Sequence, residues 1–252
     1  MPVIHVVIPF LNEESTLHTI VERLGSCSWP VGWTCRIILV DDGSTSRATD
    51  QARAIAEDAR HAPTMLIRHR VNRGKGAALR TGFQEILKSA QDEDLVGVQD
   101  ADLEYDPGDL VTIIDALETT RPPAHAAFGN RWTGEDPSTI RRVHRLGNRM
   151  LTCLSNVLTG LSVSDMECCY KLIRIPMLRT IVHELDEDRF AIEPQLAATL
   201  ARHQARVIEV PVSYEPRSFS QGKKIGLRDG VAAVAAIIRE WFRTLGHRRR
   251  QA

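Results

Sequence analysis

Apolar positions in the first part of the chain gather into short runs rich in Val, Ile and Leu, at residues 3 to 8, 36 to 41, 64 to 68 and 95 to 99. Between these runs the apolar residues recur at helical spacing, as on a helix that buries one face. The pattern reads as βαβαβαβ, and strands joined through helices pair in parallel because a parallel crossover needs the length a helix supplies. A mainly parallel sheet covered on both faces is therefore expected. Ligands of such sheets meet the carboxyl ends of the strands. The segments at those ends are Pro9 to Glu14, Asp41 to Ser44, His69 to Gly76 and Asp100 to Pro107, all crowded with polar and turn residues.

The first helix is expected from near Glu13 to Gly25. Beyond Phe128 a polar loop at 129 to 137 precedes a helix at 138 to 158, then the segment 164 to 171, a helix at 193 to 202 and an extended stretch at 206 to 214. The end of the chain is amphipathic, with Val231, Val234, Ile237, Ile238, Trp241 and Phe242 near helical spacing before His247, Arg248, Arg249 and Arg250. Such a helix either packs on its own domain or lies in a membrane interface with its arginines on anionic lipid. The expected organisation is one α/β domain over residues 1 to 230 and a C-terminal helix with a basic tail over 231 to 252.

Asp100, Asp102 and Glu104 come after the fourth run with a period of two, so extended backbone would project them to one side. Like charges gathered there repel. Mg2+ or Mn2+ relieves the repulsion through hard oxygen ligands and can also hold substrate phosphates. A solvated acidic loop is the plain alternative, and the strand-end position favours the cation. Val40-Asp41-Asp42-Gly43-Ser44 ends a second strand in carboxylates, which either accept bonds from a ribose or base or belong to a capped βα turn. Asn72-Arg73-Gly74-Lys75-Gly76 sets glycines and a lysine at an expected helix start, where free N–H groups and positive charge suit a phosphate. That spacing is neither the P-loop nor the dinucleotide fingerprint, and a glycine turn with a solvated lysine explains it equally well.

Composition narrows the classes. Apolar residues make up 43% and charged residues 25%, the balance of a folded globular chain. The 32 Lys and Arg offset 32 Asp and Glu, so no overall field points to nucleic acid. Five cysteines, odd in number and without C-x-x-C spacing, indicate neither a disulfide framework nor zinc and fit a reducing compartment. The adjacent Cys168 and Cys169 read as small packed residues. The chain runs directly into a strand without signal-peptide features, and its longest late apolar run, Val231 to Ile238, is far short of the ~18 to 20 residues of a membrane span. A cytoplasmic protein is expected, touching a membrane peripherally or through a membrane partner. A dinucleotide-dependent dehydrogenase is disfavoured, since the first βα turn, Pro-Phe-Leu-Asn-Glu-Glu, lacks the glycine fingerprint.

Pro9 to Glu14, Val40 to Ser44, Asn72 to Gly76 and Asp100-Ala101-Asp102, with the later Ser164 to Lys171 and Arg217 to Lys224, together resemble the family 2 inverting glycosyltransferases. The nearest branch is that of the polyprenyl (dolichyl) phosphate sugar synthases, and the likeness covers about residues 3 to 230. It implies a GT-A fold: a single nucleotide-binding domain with a mainly parallel mixed sheet flanked by helices. It implies donor contacts from Pro9, Leu11, Glu13, Val40, Asp42, Lys75, Asp100, Ala101 and Asp102. The metal, Mg2+ or Mn2+, would rest on Asp102 with Glu104 as second ligand, although relatives often carry Gln at that position. Arg131, Lys171, Arg217 and Lys223 would meet the acceptor or the leaving diphosphate, with Lys224 a solvated neighbour. Asn130 departs from the Gly-Ser-Arg element of relatives. The implied partners are a nucleotide sugar, UDP-glucose or GDP-mannose, and a polyprenyl phosphate. Transfer to a soluble or glycan hydroxyl, with Asp165 as the base, is the competing reaction. A nucleotide-sugar binding module without turnover is the competing class.

Overall fold

The apolar runs form β1 (Val3–Phe10), β2 (Thr34–Asp41), β3 (Thr64–Arg68) and β4 (Leu95–Val98) of a computed structural model, which describes residues 1–58, 60, 62–132, 139–217 and 227–251. The helices between them are α1 (Leu17–Gly25), α2 (Ser46–Glu57) and α3 (Lys75–Ile86). Then come α4 (Gly108–Thr119), β5 (Ala126–Asn130), α5 (Thr139–Thr159), β6 (Lys171–Arg174), α6 (Ile175–Ile181), α7 (Ile192–Arg202), β7 (Val207–Pro211) and α8 (Leu227–Gln251). The first helix starts later than Glu13 because residues 13 to 16 form a turn, closed by the Leu17 N–H on the Glu13 carbonyl at 3.0 Å.

The seven strands make one sheet in the order β3-β2-β1-β4-β6-β5-β7. Only β6 runs against its neighbours, antiparallel to both β4 and β5. Consecutive buried residues along β1 and β4 show that both faces are covered, as a mainly parallel sheet requires. This is the GT-A fold. No strand is legible at 171 to 174 because four residues bounded by Lys171 and Arg174 carry too short a pattern to declare a period.

Parallel pairing brings Phe10, Asp41 and Arg68 into one register, and Asn130 opposite Pro211, so the carboxyl ends share an edge. The reversed β6 delivers its first residue, Lys171, opposite Phe128. Neighbouring loops are stitched together at this edge. The Asn12 N–H donates to Ser44 Oγ at 3.0 Å, and Asn12 Oδ1 accepts the Thr45 N–H at 2.8 Å. Gly43 sits at φ +82°, where a Cβ would overlap the backbone of Val71 and Asn72, so both its conformation and its neighbours exclude a side chain.

The C-terminal helix α8 packs on α7 and α5 through Ala233, Ala236 and Ile237. Its buried Glu240 accepts from Arg202 and Gln195, each at 3.0 Å. The apolar stripe read from the sequence therefore divides: Ile237 turns inward, while Val231, Ile238 and Phe242 are exposed. No helix among the described residues is long and apolar enough to cross a membrane.

Candidate active site

The chain leaves β4 through buried Gln99, whose Oε1 accepts the Tyr170 hydroxyl at 2.6 Å. It then turns rather than continuing extended. Leu103 takes φ +62° and Asp102 Oδ1 accepts the Glu104 N–H at 3.1 Å, so the period-two face expected for Asp100, Asp102 and Glu104 does not form. What gathers the acids instead is Arg217, beyond β7. Its guanidinium lies 3.4 Å from Asp102 Oδ2 and 3.3 Å from Glu13 Oε2, and its backbone N–H donates to Glu104 Oε1 at 2.8 Å.

Burial, together with the charges of Asp100 and Glu104, pushes the Asp102 carboxyl up to about 7. The Arg217 guanidinium opposes that rise without cancelling it. No cluster of three His, Cys, Asp or Glu able to hold a metal occurs among the described residues. A cation here would rest on Asp102 and on phosphate oxygens carried in by the ligand, which suits Mg2+, a metal usually held by one or two carboxylates plus substrate phosphates. Glu104, expected as the second ligand, is held in place by the Tyr214 hydroxyl, which donates to its Oε2 at 3.0 Å, and by the Arg217 N–H, which donates to its Oε1.

Lys75 and Lys171 both meet carboxylates of the protein. Lys75 Nζ is 2.8 Å from Asp100 and 3.1 Å from Glu193. Burial alone would lower its pKa, but Asp100 and Glu193 hold it well above the ordinary lysine value. Lys171 is fully buried and gives its ammonium to Glu193 and the Cys168 carbonyl. A buried cation needs such partners, and here they tie Lys171 to α7 and to the segment before β6. The loop at 72 to 76 packs closely on residues 187 to 189. A Cβ at Gly76 would overlap the Glu187 carbonyl, and the Ala77 N–H at the start of α3 already donates to the Asp188 carbonyl at 3.0 Å. Glu193, which joins the two lysines, carried no sequence signal beyond its acidity.

Asp42 is spent on structure in the same manner. One oxygen lies 2.7 Å from His69 Nδ1 and accepts the Arg73 N–H at 3.0 Å, and the other accepts the Gly74 N–H at 2.7 Å. Val40 is wholly buried and Ala101 nearly so, which leaves only their backbone for a ligand. Pro9, Leu11 and Glu13 are half-buried at the strand-end edge, where the sequence reading put them.

Arg131, just past β5, clasps Asp165 through Nε at 2.8 Å and Nη2 at 2.7 Å, and Asn148 donates to the same carboxylate at 2.8 Å. Burial would raise the Asp165 carboxyl, but Arg131 holds it below the ordinary range. Fully buried and bonded on both oxygens, Asp165 is not a free base, which corrects the role considered for it. Arg131 in turn stacks 4.8 Å from the Trp132 ring and 5.2 Å from Tyr214, so this side of the site is braced against Glu104. The sequence reading passed over Glu167. Its Oε1 is shielded from solvent without a hydrogen-bond partner, and burial with the Glu193 charge pushes its carboxyl up to about 7. Cys168 and Cys169 are buried free thiols, as packing predicted, with Cys168 pushed up to about 12 by burial. Lys223 and Lys224 lie outside the described residues.

The sequence pattern of glycosyl transferase family 2 matches residues 5–182. The chain belongs to that family. The chain is 28% identical over 220 residues to the undecaprenyl-phosphate 4-deoxy-4-formamido-L-arabinose transferase of Edwardsiella ictaluri (strain 93-146), covering 87% of this chain and 62% of the relative. It is also 28% identical over 221 residues to the transferase of the same description from Pectobacterium carotovorum subsp. carotovorum (strain PC1), with the same coverage. The chain thus spans about 62% of the length of these curated relatives. Among solved structures it is similar to glucosyl-3-phosphoglycerate synthase from Mycobacterium tuberculosis in complex with UDP, at TM-score 0.65 and 17% identity over 95% of this chain and 80% of that one. The same synthase with Mn2+, UDP and glucosyl-3-phosphoglycerate matches at TM-score 0.64 and 18% identity, again over 95% and 80%. Likeness at this identity carries the fold alone.

Proposed function

We propose that this family 2 chain transfers a hexose with inversion from UDP-glucose or GDP-mannose to a polyprenyl phosphate, at the cytoplasmic surface of a membrane. The observation that carries the reading is Asp102, a carboxylate at the strand-end edge that stands 3.4 Å from the Arg217 guanidinium and is pushed up to about 7 by burial and by the charges of Asp100 and Glu104, a setting that suits a cation and a diphosphate. The curated relatives, named as undecaprenyl-phosphate sugar transferases, support the acceptor class. The solved neighbours hold Mn2+ or Mg2+ with UDP, which supports the donor and metal classes.

In this reading Asp102 holds Mg2+ or Mn2+, and the cation when bound neutralises charge growing on the leaving diphosphate. Pro9, Leu11 and Glu13 line the nucleoside side. Arg217 moves its charge from the carboxylates toward phosphate oxygens. A phosphate acceptor is already anionic near neutral pH and needs no strong base, which fits a site whose Asp165 is locked to Arg131. Glu167 favours a second reading. An unpartnered carboxyl titrating near 7 could take a proton from a hydroxyl acceptor.

The test supplies labelled UDP-glucose or GDP-mannose with Mn2+, and either polyprenyl phosphate or glycan acceptors. Label moving into organic solvent supports the lipid acceptor. Label moving only onto glycans, with loss in Glu167→Gln, supports the hydroxyl reading instead.

A further inference from the structure

Helix α8, the last element of the chain, holds the acidic strap Asp186 to Arg189 that leads into α7. Arg243 donates to both oxygens of Asp186, at 3.1 and 2.6 Å, and Arg239 pairs with Glu187. The Arg243 bonds are the largest cause that brings the Asp186 carboxyl down to about 2. Gln195, wholly buried on α7, fixes the backbone of the strap. Its Oε1 accepts the Asp186 N–H at 2.9 Å and the Glu187 N–H at 2.8 Å, while its Nε2 donates to Glu240 of α8 at 3.0 Å.

On its other side the strap lies against the start of α3. The Asp188 carbonyl accepts the Ala77 N–H at 3.0 Å, and Arg80 of α3 donates to the Glu187 carbonyl at 3.1 Å and to Asp188 Oδ1 at 2.5 Å. Gly74 and Gly76 flank Lys75, and a Cβ on either would overlap a carbonyl oxygen of the strap, so the two backbones touch. From this junction Lys75 reaches Asp100 at 2.8 Å, two positions before Asp102. A continuous set of contacts thus joins α8 to the acids of the site.

We infer that Arg239 and Arg243 are positioning residues for the donor site: by holding the strap on the start of α3 they fix Lys75 on Asp100, and with it the carboxylates that receive the nucleoside diphosphate. The inference rests on the donor reading above. The Arg239 and Arg243 side chains are 46% and 35% exposed, and ion pairs in such surroundings contribute little to stability. Maintaining the fold is therefore a poor account of them. One helical turn apart, the two arginines share a face of α8 and meet consecutive acids of the strap, an arrangement that places a segment rather than fills a core.

The experiment is a mutant cycle on the affinity for UDP and GDP with Mn2+, read by calorimetry, with urea unfolding as the check on the fold. It compares the wild type, Arg239→Met/Arg243→Met, Lys75→Met and the variant that combines all three; methionine keeps an apolar stem in place of each cation. The arginine variant should hold the urea midpoint of the wild type, because buried Glu240 retains Arg202 and Gln195. Its affinity for the nucleotide that the wild type binds should fall about tenfold, whereas in the Lys75→Met background the same two substitutions should cost less than about twofold, since the contact through which they act is gone. Glu187→Gln, which severs the Arg239 pair from the strap side, should give a smaller loss with the same dependence on Lys75. Equal losses in both backgrounds, or none in either, overturn the positioning role and leave the donor reading standing. A wild type that binds neither UDP nor GDP overturns the donor reading, and this inference with it.

Discussion

Arg217 Nη2 stands 3.4 Å from Asp102 Oδ2, so a protein cation leans on the carboxylate assigned to the metal. The two positive charges compete for one anion. Arg217→Ala should therefore tighten Mn2+ binding in the absence of substrate, yet lower kcat/KM for a phosphate acceptor by about tenfold or more, because the phosphate loses a charge-assisted partner. Mn2+ titration monitored by electron paramagnetic resonance, set beside steady-state kinetics, reads both effects. Equal Mn2+ affinity and unchanged kinetics would place Arg217 outside the site.

Asp102 gives a second outcome. With its carboxyl near 7, the metal-free protein must release a proton to take up a cation at lower pH. Apparent Mg2+ affinity should rise about tenfold per pH unit below 7 and level off above it. Calorimetry in buffers of different ionisation enthalpy measures the proton released. Affinity independent of pH from about 5.5 to 7 would remove Asp102 from the metal.

The clasp between Arg131 and Asp165 makes a prediction about stability rather than chemistry. Asp165→Asn leaves the Arg131 guanidinium, with its side chain 11% exposed, without its counter-charge. A loss of about 3 kcal/mol is expected in urea unfolding, the usual size for removing one partner of a buried pair. A variant as stable as the wild type but devoid of turnover would restore Asp165 as a chemical group.

Much of the strand-end edge was legible in the sequence, and the reasons are physical. Long apolar runs declare buried strands, and residues at strand ends must reach the ligand edge of a parallel sheet, so Glu13 and Asp102 could be named. Leu103 could not announce its positive φ, because nothing in a leucine codes for it. Nor could Lys171 reveal that it is buried on Glu193, 22 positions away, or Arg131 that it is committed to Asp165, 34 positions away. A charge in a sequence carries no label of its partner, which tertiary contact alone supplies. The same blindness hid Glu167, whose significance lies in a missing hydrogen bond.

Glu167 should also be visible in the pH dependence of stability. Its carboxyl moves from an ordinary 4.5 to about 7 on folding. Between those values the folded chain keeps a proton that the unfolded chain has released, so stability falls as pH rises through the window and is fully retained below it. Asp102 contributes in the same direction in metal-free protein. Glu167→Gln should flatten the decline of the urea midpoint between about pH 5 and 7. A slope identical to that of the wild type would show that Glu167 is ionised throughout.

The most direct measurement is single-turnover transfer from labelled nucleotide sugar to polyprenyl phosphate with Mn2+, comparing the wild type with Asp102→Asn. The wild type should move label into the organic phase within one turnover. Asp102→Asn should retain the fold by circular dichroism and fall by about a hundredfold or more, the scale of losing a metal's stabilisation of the leaving group. Organic-phase product formed equally well by Asp102→Asn, or no such product from wild type with either UDP-glucose or GDP-mannose, would contradict the assignment.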